Sequence, residues 1–240
     1  MTYFIFGVMP YIALTILVVG SIVRYERDPF TWKSSSSQLL RRKQLVWGSV
    51  LFHVGIIVVF FGHLVGMLTP LEVFHALGIG YGVKQLLAIV IGGLAGAMAL
   101  VGGSLLLHRR LFDPRIRANS TFADTGILVL LYAQLVIGMG TILVSIDHLD
   151  GGVMVQFMDW ARAIFTVRLD AWRLVENVHW IYKLHIFLGL AIFILFPFTR
   201  LVHMLSAPVR YLWRPGYQVV RTRRSRPLPK RGASPQQAAE

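Results

Sequence analysis

Apolar residues fill five long runs of this 240-residue chain, and the charged residues gather between them. The runs predict helices over roughly Tyr3–Val23, Leu45–Leu68, Leu86–Leu107, Thr125–Ile146 and Tyr182–Met204. Each is about 20 residues, the length an α-helix needs to cross ~30 Å of hydrocarbon. The fold class expected is therefore an all-α integral membrane protein, with five transmembrane helices in a bundle. The third run carries Gly92, Gly93, Gly96, Gly102 and Gly103. Gly92 and Gly96 form a small-xxx-small pair, which predicts close helix packing.

Composition agrees with this pattern and narrows the chemistry. A hydrophobic content of 55% and a mean hydropathy of +0.63 are too apolar for an ordinary soluble domain. The chain has no cysteine. That removes disulfides, thiolate-bound iron–sulfur clusters, thiolate zinc sites and covalent haem attachment. No cleavable leader is expected, because the first apolar run starts at once without a basic segment before it.

The net charge of +13 would suggest nucleic acid as a partner for a soluble protein. Here its distribution has a topological explanation, and nucleic acid is not expected. The first loop holds Arg24, Arg27, Lys33, Arg41, Arg42 and Lys43, and the third holds Arg109, Arg110, Arg115 and Arg117. The chain from Arg210 onward is again basic. The second loop has only Lys84 against Glu72, and the fourth is mixed. Basic loops stay in the cytoplasm, so the first loop, third loop and C-terminus are expected inside and the N-terminus outside. The fourth loop carries Trp160, Phe165, Trp172 and Trp180, and it can be read either as an amphipathic stretch on the outer face or as a partly ordered loop. The basic, Pro- and Arg-rich tail over 218–240 suits anionic lipids and is expected to be disordered.

Four histidines lie inside two of the apolar runs: His53 and His63 in the second, His185 and His203 in the fifth. Ionisable side chains at membrane depth are costly and usually functional. Imidazole is a strong iron ligand, and a haem with two axial histidines takes one from each of two facing helices. The second helix runs inward-to-outward and the fifth outward-to-inward, so depth pairs His53 with His203 and His63 with His185. On continuous helices the separations are ~15 Å and ~27 Å, and the mismatch requires tilted helices or slanted axial bonds. Two haem b groups are the expected cofactors. Gly62, Gly66 and Gly189 leave room nearby, although plain helix packing explains them nearly as well. Arg200, one turn before His203, is a candidate partner for a haem propionate or a snorkelling interfacial cation. His75, His108, His148 and His179 are expected to have surface or headgroup roles.

The chain resembles the gamma subunit, the cytochrome b, of membrane-bound respiratory nitrate reductases. The resemblance rests on RYERDPFTWKSSSSQLL after the first helix, LFHVGIIVVFFGHLVGMLTP in the second, VKQ before the third, LLLHRRLFDPRIRA after it, and KLHIFLGLAIFILFPFTRLVH in the fifth. It covers the chain from about Tyr11 to Tyr217. It implies a five-helix di-haem cytochrome b domain over 1–217, in the inner membrane of a prokaryote. It further implies an inner haem b on His53 and His203 and an outer haem b on His63 and His185. A quinol site beside the outer haem would involve Lys84 and be bordered by Gly62, taking menaquinol or ubiquinol. An iron–sulfur beta subunit and a molybdenum-containing alpha subunit would dock on the cytoplasmic face.

Two other readings remain open from the residues alone. Cytochromes b of heterodisulfide- or sulfite-type membrane complexes have similar ligands. A His-relay transporter is a different class, but it calls for carboxylates at depth, and no Asp or Glu lies near the middle of any run.

Overall fold

The computed structural model describes residues 1–32, 40–206 and Trp213. Lys33 and the tail over 218–240, for which a lipid-facing role and disorder were expected, lie outside the described residues. The fold below belongs to the unit Met1–Leu205.

Among the described residues eight α-helices follow one another: α1 (Met9–Arg27), α2 (Arg42–Leu68), α3 (Leu71–Ala76), α4 (Tyr81–Phe112), α5 (Pro114–Ala118), α6 (Phe122–Ser145), α7 (Gly152–Phe165) and α8 (Trp180–Leu195). Among the described residues five helical stretches are long and apolar enough to cross a membrane: Phe4–Arg27, Arg42–Leu68, Tyr81–Phe112, Phe122–His148 and Trp180–Phe198. These correspond to the five runs of the sequence; the second, third and fourth are extended by flanking residues, and the fifth stops short of Met204. The helices pack as a row, α2 against α4, α4 against α6, α6 against α8 and α8 against α1. The histidine-bearing α2 and α8 are not direct packing neighbours in that row.

The tightest seam lies between α2 and α4, and it is made of backbone. A Cβ on Gly102 would collide with Phe52 N and come within 2.7 Å of Gly48 O. A Cβ on Gly55 would strike Ala95 O and lie 2.6 Å from Ala99 N. Small residues let helix backbones touch where lipid gives no hydrophobic drive to associate. The expected Gly92/Gly96 pair does not form this seam. Gly92 faces open space, and Gly96 meets Met139 of α6. The motif spacing was right in kind, but the interface uses Gly48, Gly55 and Gly102.

The fifth span is not the continuous helix expected to Met204. Pro197 lacks an N–H and clashes with the preceding turn. Accordingly α8 ends at Leu195, a 3-10 turn covers Phe196–Phe198, and Thr199 is extended. A second 3-10 segment, Arg200–Ser206, carries His203. Pro197 packs on α1, where a Cβ on Gly20 would come within 2.9 Å of its ring. Arg24 of α1 donates to Pro197 O at 2.6 Å and to Thr199 O at 2.8 Å.

The fourth loop is ordered. Amphipathic α7 buries Met158, Trp160, Ala161, Ala163 and Ile164, and these pack with Phe6, Ala171 and Val175. Pro10 cannot donate to the carbonyl four residues back, that of Phe6. The Trp160 indole donates to that carbonyl instead, at 3.0 Å.

The α2–α4 seam predicts a contrast between two glycines of α4. Gly102→Leu is expected to destabilise the fold by about 3 kcal/mol or more, the upper end of overpacking costs. Gly92→Leu, pointing into open space, is expected to be near neutral. Thermal denaturation of the detergent-solubilised protein reads the difference.

Candidate functional site

The structure brings the four membrane histidines together in the two pairs that depth order predicted. His53 and His203 have ring centres 6.2 Å apart with planes at 69°. His63 and His185 have ring centres 6.1 Å apart with planes at 42°. An imidazole nitrogen sits roughly 2 Å from a first-row metal and its ring centre about 1 Å further on, so two rings on opposite sides of one iron have centres about 6 Å apart. Both pairs have that spacing.

Hydrogen bonding sets which ring nitrogen is left with a free lone pair. His53 Nδ1 lies 2.7 Å from Ser49 O, His63 Nδ1 2.8 Å from Val59 O, and His203 Nδ1 2.5 Å from Arg200 O. A carbonyl only accepts, so each Nδ1 carries the proton and donates. In the neutral ring that leaves Nε2 with its lone pair for a metal. Metal-bound histidines commonly hold their second nitrogen this way. His185 differs: its Nδ1 is buried without a partner. Its Nε2 lies 3.5 Å from Gln134 Nε2, which donates to His185 O at 3.0 Å. The donor set and spacing fit two bis-imidazole haems.

Lys84 is not an exposed interfacial anchor. It lies in the first turn of α4 and is buried. Its Nζ donates to Gly66 O at 2.8 Å, one turn past His63, and touches Met158 Sδ at 2.8 Å. The ammonium also stands 3.8 Å over the ring of Phe74. The contact with Gly66 has a backbone cause. The residue four on is Pro70, which cannot donate to Gly66 O, and Lys84 supplies the missing hydrogen bond. Gly62, beside His63, faces open space.

Comparison with known proteins places this chain in a family. The model of the nitrate reductase gamma subunit family matches residues 2–223. The chain belongs to the nitrate reductase gamma subunit family. The respiratory nitrate reductase 1 gamma chain of Escherichia coli is 45% identical over 220 residues, 92% of this chain and 97% of its own length. The respiratory nitrate reductase 2 gamma chain of the same organism is 44% identical over 221 residues, with the same shares. The nitrate reductase gamma chain of Bacillus subtilis is 42% identical over 219 residues, 91% of this chain and 97% of its own. As a gamma subunit, the chain is one component of a multi-subunit oxidoreductase.

Several site features of this gamma subunit were not visible in its sequence. Gly138 of α6 backs the His185 ring, and a Cβ there would lie 2.8 Å from Cε1. Gln134, one turn earlier, reaches the His185 carbonyl. Arg200, expected as a propionate partner or snorkelling cation, places Nε 2.7 Å from Asp124 Oδ1. Asp124 is itself buried at the start of α6. The residues that bear on the ligands come from α6, 51 and 76 positions away in sequence, and no local pattern links them to a histidine.

The other histidines hold lesser positions. His179 accepts from Ile181 N at 3.4 Å as the cap of α8, and His75 stacks edge-on against Tyr81 at 4.9 Å. His108 contacts Gln44 at 3.3 Å, and His148 Nδ1 lies 3.2 Å from Val144 O.

Gly138 gives a test of the His63–His185 pair. In Gly138→Val the His185 ring must move, so the variant is expected to lose the group that pair would hold and keep the one at His53–His203. With a haem at each pair, the haem-to-protein ratio by the pyridine haemochrome assay would fall by half. An unchanged ratio would show that His185 tolerates displacement.

Proposed function

We propose that this gamma subunit is the quinol-oxidising, di-haem cytochrome b of a respiratory nitrate reductase. In this reading His53 and His203 hold the inner haem b, and His63 and His185 the outer one. The observation that carries it is the pair of imidazole separations of 6.2 and 6.1 Å, in a chain of this family. The haems supply one-electron chemistry when bound. The chain's own residues fix the ligands, exclude water and handle the proton of the substrate.

The positive-inside rule supports an N-terminus outside and a C-terminus in the cytoplasm, in the inner membrane of a prokaryote. The His63–His185 pair then lies toward the outer face. Lys84 stands one turn past His63 and carries an ammonium held between Gly66 O and the Phe74 ring. Such a group can donate to an oxygen of menaquinol or ubiquinol and favour loss of its proton, with the glycine surface at Gly62 as the border of the site. α7 closes over Lys84 through Met158 and keeps water from it. On the inner face the basic first and third loops would meet an iron–sulfur beta subunit, beyond which a molybdenum-containing alpha subunit reduces nitrate. Arg200 would share its guanidinium between Asp124 and a propionate. Anionic lipids would meet the basic cytoplasmic segments.

Membranes holding the complete complex test this reading directly. A quinol analogue is added, the b-haem spectrum is recorded, and nitrate follows. Reduction of the haems and their reoxidation by nitrate are expected. Haems that reduce and stay reduced would move the acceptor to another reductase, and a colourless protein would end the haem reading.

Two substitutions locate the steps. His63→Ala is expected to leave one haem per chain, and retention of both would break the pairing. Lys84→Ala is expected to slow quinol-driven haem reduction on the order of tenfold or more, within the range of positioned proton-transfer groups, with haem content unchanged. Stopped-flow absorbance in the α-band measures it, and an unaltered rate would remove Lys84 from the quinol site.

A further inference from the structure

His203 sits on a 3-10 segment beyond a proline break, not on a helix whose ladder would hold it. Something else must fix its position against His53. Its Nδ1 donates to the backbone carbonyl of Arg200, so the ring is as well placed as Arg200 is. Arg200 in turn donates Nε to Asp124 Oδ1 at 2.7 Å. The two oxygens of Asp124 are divided. Oδ2 accepts from Thr121 N at 3.3 Å, and Thr121 Oγ1 accepts from Asp124 N at 3.1 Å, which closes a capping box at the start of α6. Arg110 Nη1 stands 4.0 Å from Oδ2. Asp124 is therefore locked to one rigid helix end and reaches across to the segment that carries His203. On the other side Arg24 holds the carbonyls of Pro197 and Thr199.

We propose that Asp124 is a positioning residue for the inner axial ligand: its carboxylate fixes Arg200, whose carbonyl orients the His203 imidazole through Nδ1. This inference rests on the haem reading above. A carboxylate buried with two arginines has a large effect when its charge is removed, because the cations are left without compensation. The disturbance passes first to Arg200, then to the ring plane and Nδ1 hydrogen bond of His203. Axial-ligand orientation and hydrogen bonding are levers on a haem's potential.

The test uses the complete membrane complex with Asp124→Asn, and Thr121→Ala as a control. Thr121→Ala removes half of the capping box but leaves the Asp124–Arg200 pair. Redox titration and low-temperature electron paramagnetic resonance read each haem separately, with the inner signal assigned by its loss in His203→Ala. In Asp124→Asn the inner midpoint and its low-spin signal are expected to shift, or that haem alone to be lost, with the outer haem unmoved. In Thr121→Ala, which keeps the Asp124–Arg200 pair, the inner haem is expected to move far less than in Asp124→Asn, and the outer haem to match the parent. An unshifted inner haem in Asp124→Asn would overturn the inference, as would equal changes in the two variants or loss of both haems. A parent complex without haem would overturn the haem reading itself.

Discussion

One geometric constraint governs the molecule: two histidine pairs on two helices must both close at about 6 Å. An α-helix advances about 1.5 Å per residue, so the ten residues from His53 to His63 span ~15 Å, whereas the eighteen from His185 to His203 would span ~27 Å as continuous helix. Tilt alone would have to absorb that excess. The chain instead ends the helix. From His185 to Leu195, the last residue of α8, is again ten residues of α-helix, matching α2. The remaining stretch is 3-10 turn, one extended residue and 3-10 turn, which together bring His203 to the level of His53. The proline break lets unequal sequence spacing serve equal spatial spacing.

That solution explains why helices without membrane histidines matter. α1 supplies the Gly20 notch that receives Pro197 and the Arg24 guanidinium that holds the carbonyls beyond the break. α6 supplies Gly138 behind His185, Gln134 at its carbonyl and Asp124 on Arg200. α4 locks α2 by backbone contact at Gly102 and Gly55, so that the His53 and His63 side of each pair is fixed by the row of helices. The paired histidines come from the second and fifth spans, His203 from the 3-10 segment that ends the fifth, but their mutual placement comes from the other three.

Much of this was legible in the sequence. The five spans follow from length and hydropathy, and the pairing of the histidines from depth order alone. The break at Pro197 was not, because it sits within an apolar run whose average hydropathy hides a single missing donor. The α2–α4 seam was not legible, since a small-xxx-small spacing says that a face is narrow but not which neighbour it meets: Gly96 does pack closely, but against Met139 of α6. Asp124, Gln134 and Gly138 carry no local mark, as each matters only through a partner on α8. α7 was one of two readings of its loop, and its aromatic residues decided it only through contacts with the first helical turns.

The prolines give a rule that ties these observations together. In hydrocarbon every backbone carbonyl must find a donor within the protein, and a proline withdraws the one that would serve the residue four before it. Pro10 orphans Phe6 O, and the Trp160 indole binds it, which fastens α7 to the first span. Pro70 orphans Gly66 O, and Lys84 binds it, which fastens α4 to the end of α2. Pro197 withdraws the donor to Phe193 O, and the N–H of Phe196 takes it as the helix tightens into its 3-10 turn, while Arg24 serves the carbonyls just beyond. Two of the three prolines thus recruit a donor from a distant segment, and the third recruits one for the turn that follows. These prolines are the points at which the spans are tied to one another. Lys84 gains its place at Gly66 O, one turn past His63, by this backbone requirement, so a cation is held there for structural reasons, and any chemistry it performs on a substrate would be built on that anchoring.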